Sequence, residues 1–595
     1  MLSTNNLSVI NDAAVSASTD GVGNAGLVEI TATGDVLVDG FAVIASAVSP
    51  GATGDSGGIV LSTNNLSVLN IAQVLASTFG EGNAGSVEIT ATGDVRVDGI
   101  ESGIASIVGA DARGDSGGIV LSTDNLSVLN RADVSASTFG EGNAGAVQIN
   151  ALGDVLVDGT DSFIDSVVFF GATGDSGGIV LSTNNLSVLN NAAVTATTAG
   201  AGNAGRVEIN ALGDVLVDDA FIASEVFPDA TGNSEGIALR ANNLEVLNLA
   251  TVSATTAGTG NAGQIEMTAT DTILVDGFSS IASEVFPNAT GDSEGIVLST
   301  NALNVSNGGF VSADTFAQGS AGNVLVRSLP AGNLDIALNG GQIRARTQSA
   351  SPGGNLTLQT AGDLTVQGPG EISVESLEAS SGAAGTLNVL ANNNVVLDGG
   401  VELSAQTAAV TGGGTVNFVV GDALALRRSS FINAESTNPE SGDGGNIFMD
   451  TDFLVSVPGE NNDIIANAIG GDGGRVEVNA VNIFGFSESQ GLTTNELRAN
   501  TTNDLSASSA EGVEGEITLN TLNLDPSSGL GTLPEGPIDA SQLIEQTLCE
   551  VGQGSNFVVT GRGGLPSAPA DALGEVTPWE DWNFAEDTAF DLPST

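Results

Sequence analysis

Short runs in which apolar side chains occupy every second position recur along the chain. Such alternation in short segments rich in β-branched residues is typical of strands that are buried on one face. Pairs of Asn, or Asn after Leu, separate the runs, and Asn tolerates the left-handed backbone of tight corners. The pattern therefore predicts three short strands and three corners in each unit. In the first clear unit the predicted inward side chains are Ile59 and Leu61, Leu66 and Val68, and Val74 and Ala76.

This three-strand unit repeats. The stretch that begins Gly-Asp-Ser-Gly-Gly at residue 54 returns almost unchanged at residues 114 and 174, a spacing of about 60 residues. Each long block contains two halves, because the pattern of residues 59–70 is found again in residues 87–99 with different letters. In that alignment Leu66 falls on Val95, and Asn70 falls on Gly99. Both Asn and Gly suit a positive φ, so a shared corner is expected there.

The repeats predict an all-β fold, a parallel β-solenoid of about 17 coils. One coil cannot bury its inward side chains alone, so the core forms only when coils stack. At one corner we expect a ladder with one amide or carboxylate side chain per coil. Because Asn alternates with Asp, the carboxylates lie two coils apart, which halves their repulsion. The predicted corner ladder consists of Asn65, Asp94, Asn125, Asp154, Asn185, Asp214 and Asn243.

The regularity of the repeats divides the chain into three predicted regions. Residues 1–310 carry regular double coils, and residues 311–528 are predicted to be divergent coils that keep Gly-rich turns near every 30 residues. Residues 529–595 lose the pattern. A short helix that begins at Asp539 is predicted there, followed by an acidic tail that contains proline. We interpret this last region as a C-terminal cap and an irregular extension.

The composition is strongly acidic. The 595 residues carry a formal net charge of −58, with 71 Asp and Glu against 13 basic residues, all of them arginine. This charge argues against a nucleic-acid partner, whose phosphates need basic patches, and against an anionic membrane surface. No apolar run is long enough to cross a membrane as a helix. The simplest interpretation is a solvated acidic coat that keeps a long solenoid soluble.

Asp-rich turns also supply the hard oxygen ligands that calcium prefers. The calcium-binding nonapeptide of secreted β-rolls is absent from the sequence, so no cofactor is predicted and calcium bridging is kept as an alternative. The single cysteine, Cys549, rules out an internal disulfide. A free buried thiol and an intermolecular disulfide both stay open for it.

Motifs that resemble catalytic sites are better explained by the repeat. Gly-Asp-Ser-Gly-Gly surrounds the nucleophile of chymotrypsin-like proteases, but here it occurs three times in a chain without His to act as the base. We therefore predict that Ser56, Ser116 and Ser176 are turn residues.

Paired carboxylates are the remaining catalytic hypothesis, because Asp and Glu pairs hydrolyse glycosides. However, Asp94, Asp98 and their copies recur on coil after coil, whereas a catalytic pair is normally unique and set in a cleft. With no Tyr and two Trp, both in the tail, aromatic platforms for sugars are scarce. No catalytic residue is predicted, and a carbohydrate-active β-helix enzyme is the least favoured alternative.

The end of the chain carries a more specific string, from Leu543-Ile-Glu-Gln through Phe557 and Gly-Arg-Gly-Gly-Leu-Pro to Trp-Glu-Asp-Trp. Its key residues are Cys549, Gly561, Arg562, Gly563, Gly564, Trp579 and Trp582. With this string and the repeats, nearly the whole chain resembles the filamentous haemagglutinin-like exoproteins of two-partner secretion, in their cyanobacterial branch. The resemblance implies a right-handed β-helix that leaves the cell through an outer-membrane β-barrel transporter and acts at the cell surface or outside the cell.

The beginning of the chain departs from that family. Met1 takes the place of Val60 in the repeat, so the chain begins inside a strand, and no signal peptide or secretion domain precedes the coils. A solenoid normally needs a cap at its end. We therefore expect that the biological start lies upstream and that this chain is a C-terminal portion.

From these observations we hypothesise a non-enzymatic, secreted or surface-attached, adhesin-like rod. Many weak sites along one rod raise avidity without any strong single site. The expected partners are the outer-membrane transporter and a surface ligand, either carbohydrate or protein. The first alternative is a structural surface-layer or matrix component bridged by calcium, and the second is the carbohydrate-active enzyme.

Overall fold

The fold is described from a computed structural model, which describes residues 1–378 and 382–521. Parallel strands stack as a β-solenoid of about 16 turns, which confirms the predicted all-β class and is close to the predicted number of coils. The predicted cap and tail, with the helix at Asp539 and the string from Cys549 to Trp582, lie outside the described residues. The predicted boundaries at residues 310 and 528 stay predictions.

Each coil contributes one strand to each of three faces. The first-strand face contains Leu2–Thr4, Val28–Ala32, Ile59–Thr63, Val87–Ala91, Ile119–Thr123, Val147–Ala151, Ile179–Thr183, Val207–Ala211, Ile237–Ala241, Ile265–Ala269, Ile296–Ser299, Val324–Arg327, Leu356–Thr360, Thr386–Ala391, Thr415–Val420 and Glu516–Thr521. The second-strand face contains Leu7–Ile10, Val36–Asp39, Leu66–Leu69, Val95–Asp98, Leu126–Leu129, Val155–Asp158, Leu186–Leu189, Val215–Asp218, Leu244–Leu247, Thr272–Asp276, Ala302–Ser306, Leu334–Ala337, Leu364–Gln367, Val395–Asp398 and Ala423–Arg427. Two long strands, Asn446–Ser456 and Arg475–Phe484, continue from the first face into the second.

The third strand of each coil forms the third-strand face. Its strands are Ala14–Ser16, Val43–Val48, Gln73–Thr78, Gly103–Val108, Asp133–Thr138, Phe163–Asp165, Ala193–Thr195, Phe221–Ala223, Thr251–Ser253, Ser280–Ala282, Phe310–Ser312, Gln342–Arg344, Gly370–Ser373, Val401–Ser404, Phe431–Asn433, Asp463–Ile465 and Asp504–Ser506, with Ser487–Glu488 paired to the last of them.

The register agrees with the alignment of the half-repeats. Leu66 pairs with Val95 in the next coil, and Val68 pairs with Val97. Because each residue stacks on its counterpart one coil away, a side chain that points inward in one coil points inward in all. The predicted alignment of these two strands is confirmed.

One continuous core fills the solenoid from Val9 to Ala507. The six predicted inward side chains between Ile59 and Ala76 are all fully buried. Val, Ile, Leu and Ala dominate the interior, and Phe418 is the only buried aromatic side chain among the described residues. Because the interior is narrow, the other aromatic side chains of the described residues lie at the surface, partly or fully exposed.

The corner after the second strand needs left-handed backbone. Asn70 has φ 53° and Gly99 has φ 102°, which confirms the expectation of positive φ at this shared corner. The next residue, Ile71, also has a positive φ of 71°, which the sequence did not predict. The Ile71 amide donates to the Ser102 hydroxyl of the next coil at 3.0 Å, and this bond supports the strained conformation.

One insertion interrupts the regular coils. It follows Arg475–Phe484 and contains the short helix α1, Thr494–Ala499, which begins with a capping box between Thr493 and Glu496. Leu497 of α1 is buried against the solenoid. No helix in the described parts of the chain has the length and apolar character needed to cross a membrane.

Candidate functional site

The outward side chains of the third-strand face form the floor of a groove. In the strand Asp133–Thr138 these are Asp133, Ser135 and Ser137. Although they point away from the core, Ser135 is 7% exposed and Ser137 is fully buried. Both hydroxyls contact Asp165 of the next coil, and the loop that follows the third strand begins beside this face, where Gly109 and Ala110 line the groove. The equivalent residues of stacked coils make one continuous floor along the solenoid, which we call the groove floor.

A phenylalanine wall borders the floor on one side. The loops that follow the third strands stack in parallel, for example Thr138 on Val168, and are anchored by small buried clusters such as Ala144 with Val168 and Ala172. The next residue of the loop is phenylalanine in six coils, and two neighbouring rings stack with centroids 3.9 Å apart. Several of these rings are about 40% exposed. The phenylalanine wall consists of Phe79, Phe139, Phe169, Phe227, Phe286 and Phe316.

Four more phenylalanines lie at the opposite edge of the floor, at the first position of the third strand. Ten of the 21 phenylalanines of the chain therefore border this groove. Sequence analysis missed it because aromatic platforms were judged from Tyr and Trp. The signal was present as phenylalanine pairs six positions apart, such as Phe163 and Phe169. The edge residues are Phe163, Phe221, Phe310 and Phe431.

A cavity of about 400 Å³ opens in the groove between Phe79 and Phe139. The coil between them has Gly109 at the wall position, so one ring is missing from the stack. A Cβ atom on Gly109 would lie 2.4 Å from Cδ1 of Phe79, which shows how closely that ring borders the gap. Ala105 and Asp133 also line the cavity. Its volume falls in the range of small-molecule sites.

Carboxyl groups on the floor are half-buried or buried without cationic partners in this part of the groove. Burial raises the pKa of Asp133 to about 7, and the nearby Asp165 carboxyl adds to the increase. Asp165 is itself buried, which raises its pKa, while the Ser135 and Ser137 hydroxyls donate to its Oδ1 at 2.5 and 2.9 Å. Among the described residues no arginine forms an ion pair with Asp133, Asp165 or Glu225.

Farther along, the floor contains arginine. Arg344 Nε and Arg346 Nη2 lie 3.0 and 3.1 Å from Oδ2 of Asp314, and Arg344 lies 4.3 Å from the ring centroid of Phe310. Burial, together with the neighbouring Glu371 carboxyl, raises the pKa of Glu375 and of Glu402 to about 7. In this section of the floor the arginines therefore form ion pairs with floor carboxylates, and further carboxyl groups lie beside them.

The insertion covers one end of the groove. The Thr494 hydroxyl donates to Oε1 of Glu435 at 2.8 Å, at the wall side of the floor. At the other edge, Arg498 lies 2.6 Å from Asp463 and 4.1 Å from the ring centroid of Phe431. Because helix α1 is held at both edges, it crosses the floor and encloses a space of about 550 Å³. A ligand in the groove can therefore extend freely in one direction only.

The predicted ladder residues form a continuous hydrogen-bonded column at an exposed corner. Each Asn accepts a bond on Oδ1 from the backbone amide of the Asp in the next coil, as Asn65 does from Asp94 at 2.8 Å. Each also donates from Nδ2 to the Asp of the preceding coil, as Asn125 does to Asp94 at 2.8 Å. The same pattern continues through Asp154, Asn185, Asp214 and Asn243.

A second column at the next corner joins Asn70 to Asp39 and Asn130 to Asp98, at 2.7 and 2.8 Å. Sequence analysis missed these bonds, although an Asp at the end of one second strand and an Asn one position later in the next coil recur with the same period of about 60 residues. Both columns satisfy the polar groups of the corners, so their role is to hold the register of the coils.

The serines of the Gly-Asp-Ser-Gly-Gly repeats lie in loops with their hydroxyls turned inward. Ser56, Ser116 and Ser176 donate to the backbone carbonyls of serines ten residues earlier, at 2.7, 2.8 and 2.7 Å. All three side chains are at most 9% exposed. They are therefore loop residues held by structural hydrogen bonds, although the backbone at these three positions is irregular and does not form a turn. Among the described residues no three Asp or Glu side chains are grouped so that they could hold a metal ion.

The fold and the groove define a class of protein, a repetitive parallel β-solenoid with a lengthwise surface groove. No family model matches the chain. No curated protein matches it either. Among solved structures, the crystal structure of the HMW1 secretion domain from Haemophilus influenzae aligns with 61% of this chain and 90% of its own, at 15% identity and a TM-score of 0.27. A TM-score this low does not establish a detailed correspondence between the two structures.

Proposed function

We propose that this protein is an adhesin-like rod, exported by two-partner secretion to the cell surface, that binds a surface ligand through the phenylalanine-lined groove. The observation that carries the proposal is the repetition of one surface on successive coils. Six wall rings and four edge rings face a floor of buried hydroxyl and carboxyl groups. Aromatic faces beside fixed polar groups are the usual composition of a binding surface.

Repetition is what makes such a surface effective. Each wall ring offers a modest contact, and aromatic contacts contribute about 0.5–1.5 kcal/mol beyond burial. A polymeric or clustered ligand that meets several coils at once gains avidity from all of them. A rigid solenoid also holds the sites in line, so little entropy is lost when they are occupied together.

Binding can be tested with matched pairs of phenylalanines. The labelled full chain is incubated with cells and with extracellular matrix, and the variant Phe139→Ala/Phe169→Ala is compared with Phe453→Ala/Phe484→Ala. The second pair also has neighbouring exposed rings, 6.5 Å apart, but lies on the second face. We expect the wall variant to lose binding by about 2- to 10-fold and the control to bind like the parent.

Two outcomes would contradict the proposal. If both pairs lower binding equally, the groove is not the ligand face. If binding and particle size change together on adding calcium and revert with a chelator, the matrix-component alternative is favoured.

The cellular location is tested separately, because the support for two-partner secretion is the C-terminal sequence string and the repetitive fold. Antibodies against the coils are applied to intact and to permeabilised cells that produce the protein from its own gene. Labelling of intact cells is expected. Labelling only after permeabilisation would refute a surface location.

A further inference from the structure

We propose that the cavity between Phe79 and Phe139 binds one amino-bearing sugar unit of a linear glycan, with Asp133 as the counter-charge to the amino group. This inference rests on the proposed function and names the ligand class of the same groove.

The shape fits one sugar ring. Successive coils are about 4.8 Å apart, so the wall positions of Phe79 and Phe139, two coils apart, are separated by about 10 Å. Gly109 carries no ring at the position between them, the Phe79 ring lies close to Gly109, and the cavity left between Phe79 and Phe139 accepts one flat ring. Pyranose rings have an apolar C–H face that packs on aromatic rings, and Ala105 and Ile107 supply an apolar floor below.

The spacing of the phenylalanine wall along the solenoid also fits a glycan chain of several sugar rings. A flat, extended β-1,4-linked chain presents the same face on every second sugar, and two sugars span nearly the length of two coils. Phenylalanine at the wall recurs at two-coil intervals from Phe79 to Phe139, and again from Phe169 to Phe227 and to Phe286. Successive units of one glycan can therefore meet equivalent rings.

The charge of the cavity selects a cationic unit. No donor in the described part of the chain hydrogen-bonds the Asp133 carboxyl, and no arginine pairs with it, although burial and the Asp165 carboxyl raise its pKa to about 7. A ligand ammonium group would stabilise the charged form of Asp133, because an opposite charge favours ionisation. The net charge of −58 repels uronate and sulfated glycans, and equally a second copy of this chain.

An extended peptide is a poorer occupant. Peptides that bind to sheets usually add a strand to a free edge. The strands of the third face are paired with the coils on both sides, as Asp133–Thr138 is with Gly103–Val108 and with Phe163–Asp165. The groove therefore offers no free edge, and the amides of a bound peptide would lack regular partners.

The test is calorimetric titration of the full chain with three defined probes. These are an oligomer of β-1,4-linked glucosamine, the same oligomer fully N-acetylated, and an oligogalacturonate. We expect the glucosamine oligomer to bind most tightly and the oligogalacturonate not to bind. Asp133→Asn should weaken the glucosamine oligomer about tenfold or more and leave the N-acetylated oligomer unchanged, because only the former makes a charged contact.

Two variants separate the site from general effects. Ala105→Leu places in the cavity the residue that the preceding coil carries at this position, Leu75, so the cavity is filled with a side chain that the strand already accepts, and binding of both oligomers should fall. Asp124→Asn removes an equal charge at an exposed corner where the equivalent coils carry Asn64 and Asn184, and binding should not change.

The outcomes distinguish this inference from the proposed function. If neither oligomer binds while Phe139→Ala/Phe169→Ala still lowers cell binding, the glycan assignment is wrong and the groove stands. If a basic peptide binds and Asp133→Asn abolishes its binding, the occupant is a protein and the inference is overturned. If the N-acetylated oligomer binds as tightly as the glucosamine oligomer, Asp133 is not the counter-charge.

Discussion

Asp133 is also the residue at which a single substitution should stabilise the fold. Its carboxyl is half-buried on the groove floor, and desolvation there raises its pKa from 3.8 to about 7. The folded protein therefore keeps the proton over a range in which the unfolded chain releases it. Stability contributed by the protonated form is lost as pH rises from about 4 to about 7 and does not return above that range. Asp133→Asn removes the ionisation and should abolish this loss.

The magnitude follows from the size of the shift. About three pKa units correspond to about 4 kcal/mol of difference between the two protonation states. Relaxation of the site and entry of water reduce the realised penalty of a buried charge, so we expect Asp133→Asn to gain about 1–3 kcal/mol at pH 8. At pH 4, where the native carboxyl is already protonated, the gain should be below about 1 kcal/mol.

The appropriate assay is hydrogen exchange, because a solenoid opens locally and its stability is a sum over neighbouring coils. The backbone amides of the buried residues Ile104, Val134 and Ile164, on the three stacked strands around Asp133, report the local opening free energy. They should become better protected in Asp133→Asn at high pH, after correction for the intrinsic exchange rate.

The control is Asp124→Asn, which changes net charge equally but lies at an exposed corner. An equal gain in the control would mean that relief of overall charge repulsion is the cause. A gain in Asp133→Asn that is the same at pH 4 and at pH 8 would refute the burial argument, because it would not follow the titration of the carboxyl.

Three further predictions concern the rest of the solenoid. Asn125→Asp would place three carboxylates on successive rungs of the corner ladder, and it should lower the melting temperature at low salt by an amount equivalent to about 1–2 kcal/mol, with less effect at high salt; no salt dependence would contradict this origin. Gly114→Ala, at φ 142° and with its new Cβ 2.1 Å from a carbonyl oxygen of a neighbouring coil, should destabilise its coil by about 1–3 kcal/mol in urea unfolding, whereas Gly21→Ala, which has open space, should not. Arg498→Ala leaves the fully buried Asp463 without its ion pair, and we expect a loss of about 3 kcal/mol together with faster proteolysis of the insertion; unchanged proteolysis would mean that the pair does not hold helix α1.

The structure of one coil could be predicted from the sequence, because the patterns that indicate strands and corners are local and repeated. Alternation of apolar residues fixes which side of a strand is buried, and the repeat shows which residues stack. Leu66 and Val68 could therefore be aligned with Val95 and Val97 from the amino-acid pattern alone. The ladder from Asn65 to Asn243 followed from the same register.

Other features could not be derived from strand patterns. Ser135 and Ser137 occupy outward positions, where a strand pattern predicts exposure, yet both are buried and both donate to Asp165 of the next coil. The partner of Thr494 is Glu435, 59 residues earlier, and the contact exists only because the insertion folds back over two coils.

The sequence by itself determined the architecture, which comprises the strands, the corners, the inward faces and the stacking of equivalent residues in successive coils. Each of these features depends on neighbours in the chain or on exact repetition. The groove was decided only by tertiary structure. Its walls depend on where the loops that follow the third strands lie relative to those strands, and that placement is set by the packing of small clusters such as Ala144, Val168 and Ala172. Stacking of the coils then brings the gap at Gly109 and the carboxyl of Asp133 to one cavity, which together give the surface its chemistry.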